Sequence, residues 1–142
     1  MGVAICAVQT EEPMHIPEGF AQVTPYIFAD KADAYMDHLI SALSGVETDR
    51  SLRPDGKIAN GQIRFGAASI MISEAGRGFP PSQATFYLYV ENADDAMARA
   101  IENGMEKVMD VADMPYGDRQ GGVKDIAGNI WWISQRLTDA PY

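Results

Sequence analysis

The sequence predicts an α+β fold: two βαβββ modules forming a curved mixed sheet with a concave groove. Three observations carry this expectation. An internal repeat at an offset of 61 residues pairs Thr24 with Thr85, Tyr26 with Tyr87, Ala32 with Ala93, Asp33 with Asp94, Met36 with Met97 and Ile40 with Ile101. The same offset returns at the far end, where Ile72-Ser73 falls on Ile133-Ser134. A linker over Glu74–Ser82, with Gly76, Gly78, Pro80 and Pro81, separates the copies.

The elements follow in order. Residues 1–20 carry Pro13, Pro17 and Gly19 without clear periodicity and read as an N-terminal arm. Gln22–Ala29 is strand-like, with Tyr26, Ile27 and Phe28 as β-formers, and Asp30 is a candidate cap for the next element. Ala32–Leu43 places Tyr35, Met36, Leu39, Ile40 and Leu43 at helical spacing, and Gly45 ends the helix. Strands are then expected over Val46–Leu52, Ile58–Phe65 and Ser69–Ser73. In the second copy Ala84–Val90 is a strand, Asn92 a cap and Ala93–Glu102 a helix stopped by Gly104. Strands around Lys107–Val111, Gly122–Asp125 and Asn129–Gln135 complete it. One domain therefore spans 21–137, with modules 21–75 and 83–137 and a tail over 138–142.

Composition narrows the function classes. The 142 residues are 46% hydrophobic, enough for a packed core, and 11 basic against 20 acidic residues give a net charge of −9. Such a surface repels phosphate backbones and anionic lipid, so neither nucleic acid nor membrane is an expected partner. No apolar run approaches the ~20 residues of a membrane helix, and the short Gly2–Val8 stretch lacks the basic flank of a signal peptide. The single Cys6 excludes an internal disulfide and a cysteine-rich zinc site. A cytoplasmic location is expected.

Alternation along strands sorts the side chains. Ile27, Ile70, Ile72, Phe86, Leu88, Val90, Trp131 and Ile133 form the face that packs on the helices. The opposite face holds Thr24, Tyr26, Phe28, Met71, Ser73, Thr85, Tyr87, Tyr89, Trp132 and Ser134, joined by Asn60, Gln62 and Arg64. Aromatic rings with interleaved hydroxyls and amides suit the lining of a small-molecule pocket. The same rings would also suit a contact between two sheets. Tyr116–Gly122 brings Tyr116, Asp118, Arg119 and Gln120 together between glycines, and reads either as a lid over the groove or as a turn in which Asp118 or Asp125 pairs with Arg119. Asp118, Glu74 and Tyr26 are candidate bases by residue type only. His38 is expected on the exposed side of the first helix. No catalytic residue is assigned.

The paired units resemble the vicinal oxygen chelate superfamily, which includes glyoxalase I, extradiol dioxygenases and bleomycin-resistance proteins. Thr24-Pro25-Tyr26-Ile27, the Ile70–Glu74 strand end and the run from Tyr116 through Trp132 look like its PhnB-type branch. Ile126-Ala127 stands where the common form has Pro-Phe. The resemblance implies four metal-ligand positions, which fall near Thr24, Met71, Thr85 and Trp132, and a His-x-Glu pair where this chain has Asn60-Gly61-Gln62. None of these is a good ligand, so no cofactor is expected and a divalent metal is the lesser alternative. The resemblance further implies a homodimer with shared grooves. The expected function is metal-free binding of a small planar or anionic compound, such as drug sequestration, by Thr24, Tyr26, Gln62, Arg64, Met71, Thr85, Tyr87, Tyr116, Arg119 and Trp132. A metal-dependent lyase, isomerase or dioxygenase-like enzyme, or a dimeric interaction module without ligand, are the alternatives.

Overall fold

In the computed structural model, which describes residues 14–142, each half of the chain folds into a four-stranded mixed sheet crossed by one helix. The first half comprises β1 (Tyr26–Ala29), α1 (Ala32–Leu43), β2 (Val46–Leu52), β3 (Ile58–Phe65) and β4 (Ala68–Glu74). The second comprises β5 (Thr85–Tyr89), α2 (Ala93–Glu102), β6 (Glu106–Asp113), β7 (Asp118–Lys124) and β8 (Ile130–Arg136). The strand orders are β1-β4-β3-β2 and β5-β8-β7-β6. The first and last strand of each module run parallel, and the remaining neighbours are antiparallel. The mixed sheet is thus divided in two, and among the described residues no strand of one sheet pairs with the other. Cys6 and most of the expected arm lie outside the described residues.

Register preserves the repeat. Tyr26 stands opposite Met71, and Tyr87 opposite Trp132. The third strand of each module shifts the offset by one, because Gly61 faces Ile72 while Gly121 faces Ile133. Asn60 and Gln62 therefore correspond to Gln120 and Gly122. Gly61 and Gly121 are the points where the helices press on the sheets. A Cβ there would lie 2.2 Å from the Met36 sulfur and 2.8 Å from that of Met97. Only glycine permits this approach without displacing a buried methionine.

The helix starts are capped across each module. Asp30 does not cap α1: the residue before the helix is Lys31, held in the left-handed region at φ 55°, with no side-chain cap of its own. Glu74 at the end of β4 instead accepts hydrogen bonds from the Lys31 and Ala32 N–H groups, at 3.0 and 2.9 Å. Its repeat partner Gln135 accepts from Ala93 N–H at 3.0 Å, alongside the expected Asn92 cap on Asp95. A carboxylate beside the first turn of α1 also complements the helix dipole. Glu74, a candidate base by type, is committed to this structural work.

Two further expectations are corrected. The strand predicted from Gln22 begins at Tyr26, since Thr24 Oγ1 donates to Ala21 O at 2.9 Å in the preceding turn. The segment Tyr116–Gly122 is mostly strand: the turn closes between Met114 and Gly117, and β7 begins at Asp118. Its glycines obscured the alternation, because Gly121 and Gly122 carry no side chain to display it.

A buried polar hub joins the modules. Asp125, in the turn from β7 to β8, accepts from Tyr35 Oη of α1 at 2.6 Å, from Trp131 Nε1 at 2.8 Å, and from the Ala127 and Asn129 N–H groups at 2.9 Å each. Asn129 Nδ2 donates to Tyr35 Oη at 2.9 Å. Burial, with the Asp125 charge beside it, pushes the Tyr35 hydroxyl well above the ordinary tyrosine range. His38 is not on the exposed side of α1 as the helical spacing suggested. It is buried against the same turn, where its Nε2 accepts from Ile126 N–H at 3.3 Å. Burial lowers its pKa despite the opposing pull of Asp125, which favours the neutral ring that this bond requires. No helix among the described residues is long and apolar enough to cross a membrane.

Candidate functional site

The site is set by strand alternation in the second module. On β8, Trp131 and Ile133 point to the helix side, where Trp131 stacks on Phe86 at 4.2 Å between ring centroids. Trp132 and Ser134 therefore point to the other face. There the indole lies flat over Gly122. A Cβ at Gly122 would come within 2.5 Å of the ring, so the missing side chain is what makes room for it. Tyr87 on β5, Met109 on β6, Met114 and Tyr116 in the turn, Gln120 on β7 and Trp132 line a cleft of about 330 Å³.

Polar groups converge along one wall of this cleft. Tyr116 Oη donates to Gln120 Oε1, and Gln120 Nε2 donates to Ser134 Oγ at 2.7 Å. Tyr87 Oη donates to Asp118 Oδ2. Arg136 Nη1 donates to Asp118 Oδ1 at 2.9 Å and to Tyr116 O at 2.6 Å. Burial works to raise the Asp118 pKa, but hydrogen bonds from Tyr87, Arg136 and Tyr142 outweigh it and hold the carboxyl below its ordinary value. Burial and the bond to Asp118 raise Tyr87. The carboxylate is thus ionised and the phenol neutral near pH 7. A flat aromatic floor, two thioethers and a row of fixed donors and acceptors can hold a planar molecule and orient its polar substituents.

The first module carries a simpler version of the same surface. Tyr26 Oη lies 3.1 Å from Ser73 Oγ and accepts from Asn60 Nδ2 at 3.4 Å, while Gln62 Nε2 donates to Asn60 Oδ1 at 3.0 Å. This Tyr–amide–Ser set matches Tyr87, Gln120 and Ser134 by register. Met71 stands beside Tyr26 where Trp132 stands beside Tyr87. Ile58 takes the place of Asp118, so the first module has no carboxylate at the corresponding position of its third strand.

The structure gathers Tyr87, Tyr116 and Trp132 into one cleft and places Tyr26, Gln62 and Met71 on the corresponding face of the first module. Thr24 and Thr85 sit at the edges, Thr24 before β1 and Thr85 at the exposed start of β5. Arg64 donates from Nε to Gly66 O at 2.7 Å and lies 3.9 Å from Glu18. Arg119 is not among the cleft residues. Its neighbour Gly121 packs on Met97, so the odd positions of β7 face α2, and Arg119 pairs with Asp94 at 2.7 Å and Asp113 at 2.9 Å. The arginine that pairs with Asp118 is Arg136. Sequence reasoning left Met109, Met114, Gln120 and Arg136 off the site, and reading β7 as a strand would have placed Asp118 and Gln120 on the Trp132 face. Nothing in the sequence pointed to Tyr142.

The four positions implied for a metal offer two threonine hydroxyls, a thioether and an indole. That donor set does not fit a divalent ion, which needs imidazole, thiolate or carboxylate donors. Among the described residues no three His, Cys, Asp or Glu side chains are grouped as a metal site. A larger cleft of about 440 Å³ lies where α1 approaches β5 and α2, lined by Leu43, Leu88, Val90, Asp95 and Arg99 among others, but no aromatic ring borders it.

Comparison with known proteins supports the fold. No family model matches the chain. An uncharacterized protein of Mycobacterium bovis is 27% identical over 128 residues, covering 82% of this chain and 84% of its own length. Among solved structures, a member of the glyoxalase/bleomycin resistance protein/dioxygenase superfamily from Sphaerobacter thermophilus superposes with a TM-score of 0.65 at 18% identity, over 82% of this chain and 98% of its own. TnmS3, an antibiotic binding protein from a Streptomyces species, superposes with a TM-score of 0.62 at 17% identity, over 82% and 97%. The chain has the fold of this superfamily.

Proposed function

We propose that this protein, a chain with the glyoxalase/bleomycin-resistance fold, is a metal-free small-molecule-binding protein that holds a planar compound against Trp132. The observation that carries this reading is the cleft itself, an indole laid over Gly122 and bordered by methionines, with Tyr87, Tyr116 and Gln120 as polar points. The similarity in fold to an antibiotic binding protein supports it, and sequestration of a drug-like compound is the corresponding activity. The protein acts in the cytoplasm as a homodimer. Tyr26, Phe79, Tyr87 and Tyr89 are exposed apolar rings, and a second subunit would cover them and complete the groove.

Fluorescence tests the cleft. Trp131 is buried on the helix side, so a planar aromatic entering the cleft quenches Trp132 alone. Titration with a panel of planar bicyclic and tricyclic aromatics should give saturable quenching that disappears in Trp132→Phe. A full response in that variant would move the ligand elsewhere. Metal analysis after exhaustive dialysis is expected to find far less than one equivalent of zinc, nickel, manganese or iron per chain. A stoichiometric metal would overturn the metal-free reading and favour an enzyme.

A further inference from the structure

One buried carboxylate beside the cleft is served by a phenol from a distant part of the chain. Asp118 has no exposed surface, yet it sits at the edge of the open face. Its Oδ1 accepts from Arg136. Its Oδ2 accepts from Tyr87 and, at 2.7 Å, from the hydroxyl of Tyr142 in the segment that follows β8. The Tyr142 hydroxyl also meets Tyr89 Oη at 2.6 Å, and the Arg136 guanidinium carbon lies 4.0 Å from the centre of its ring. One phenol is therefore met by an anionic acceptor for its proton, a hydroxyl partner for its oxygen and a cation over its electron-rich face.

The occupant is held by its polar contacts and not by burial. Tyr142 remains 70% exposed, so it gains little from burial of its ring. Its segment is tied back by Arg136 Nη2 donating to Ala140 O at 2.7 Å and by a local bond from Ala140 N–H to Thr138 Oγ1 at 3.2 Å. The receptor groups belong to β5, β7 and β8, outside its own segment. Tyr87, which shares the Asp118 oxygen with Tyr142, also lines the Trp132 cleft. A ligand lying on Trp132 and reaching past Tyr87 arrives at the same carboxylate.

We propose that the Asp118 end of the cleft is a subsite for an aromatic hydroxyl group, occupied in this structure by the chain's own Tyr142. The inference rests on the small-molecule reading above and narrows its ligand class to hydroxyaryl compounds. A hydroxyl donor satisfies Asp118, whereas an ether or a bare ring leaves a buried charge short of a partner and a carboxylate is repelled. Because Tyr142 is tethered, it competes at high effective concentration and sets a threshold for the ligand.

The test compares 2-naphthol with 2-methoxynaphthalene by calorimetric titration into the full chain, Tyr142→Phe, a chain lacking 138–142, and Asp118→Asn. The full chain is expected to prefer 2-naphthol by about tenfold or more, the scale of a charge-assisted hydrogen bond. Tyr142→Phe and the shortened chain should each bind 2-naphthol more tightly by about threefold or more, with 2-methoxynaphthalene little changed in Tyr142→Phe. Asp118→Asn should bring the two probes to within about threefold of each other. Tyr142→Phe removes one hydroxyl from a largely exposed residue outside the core, so its result stands even if Asp118→Asn folds poorly. Equal affinity for the two probes, or no gain in Tyr142→Phe, overturns the inference. Binding of neither probe overturns it too: the wider reading survives if other planar aromatics still quench Trp132, and falls with it if none does.

Discussion

Asp125→Ala is expected to lower the unfolding free energy by about 3–5 kcal/mol. Four donors converge on this carboxylate: the Tyr35 hydroxyl, the Trp131 indole N–H and two backbone N–H groups of the β7–β8 turn. An alanine leaves all four without their acceptor, three of them buried, and each buried group costs about 1–3 kcal/mol before relaxation or water entry. The loss spans both modules, because Tyr35 belongs to α1 and the other three to the second half. Thermal or urea unfolding should show a single transition with Tm reduced by roughly 10–17 °C for a chain of this size. Asp125→Asn should fall between the two, since its amide keeps one acceptor but turns an N–H group toward existing donors. A loss below about 1 kcal/mol for Asp125→Ala would mean that water replaces the carboxylate and that the hub does not tie the modules together.

Trp131→Ala should cost a similar ~3–5 kcal/mol, whereas Trp132→Ala should cost less than about half as much. The two residues are neighbours in sequence and chemically identical. Trp131 is fully enclosed, stacks on Phe86 at 4.2 Å, meets Phe65 at 5.4 Å and donates to Asp125. Trp132 lies half-buried on the open face over Gly122 and supports little of the core. Ligand titration should give the reverse order, with binding lost in Trp132→Ala and kept in whatever fraction of Trp131→Ala remains folded. Unfolding curves and fluorescence titrations on the same two proteins check both halves. Equal destabilisation by the two substitutions would contradict the assignment of faces.

Much of the architecture was legible because it depends on local chemistry. The helices α1 and α2 follow from apolar spacing and from glycine punctuation, the strands β2 and β3 have the bounds expected for them, and the repeat showed that one unit occurs twice. Alternation on β5 and β8 is enough to separate Trp131 from Trp132. The errors share a cause. Asp30 failed as a cap because Glu74, 43 residues from Lys31, reached its helix first. His38 lies on a face of α1 that helical spacing alone leaves to solvent, but the β7–β8 turn packs against it. Arg119 was the expected partner of Asp118 or Asp125, whereas Arg136, which no local pattern places near Asp118, comes beside it through the register of β7 against β8.

The modules, their order and the aromatic side of β1, β4, β5 and β8 are readable from the chain alone. Those properties are periodic, and periodicity is written into neighbouring residues. The division of the mixed sheet in two, the joining of the halves at Asp125 and the reach of Tyr142 to Asp118 beside the Trp132 cleft emerge from the folded arrangement. Hydrogen bonds between residues 24 to 90 positions apart are chosen by competition among all donors and acceptors that the fold brings within reach. No local pattern in the chain records the outcome of that competition.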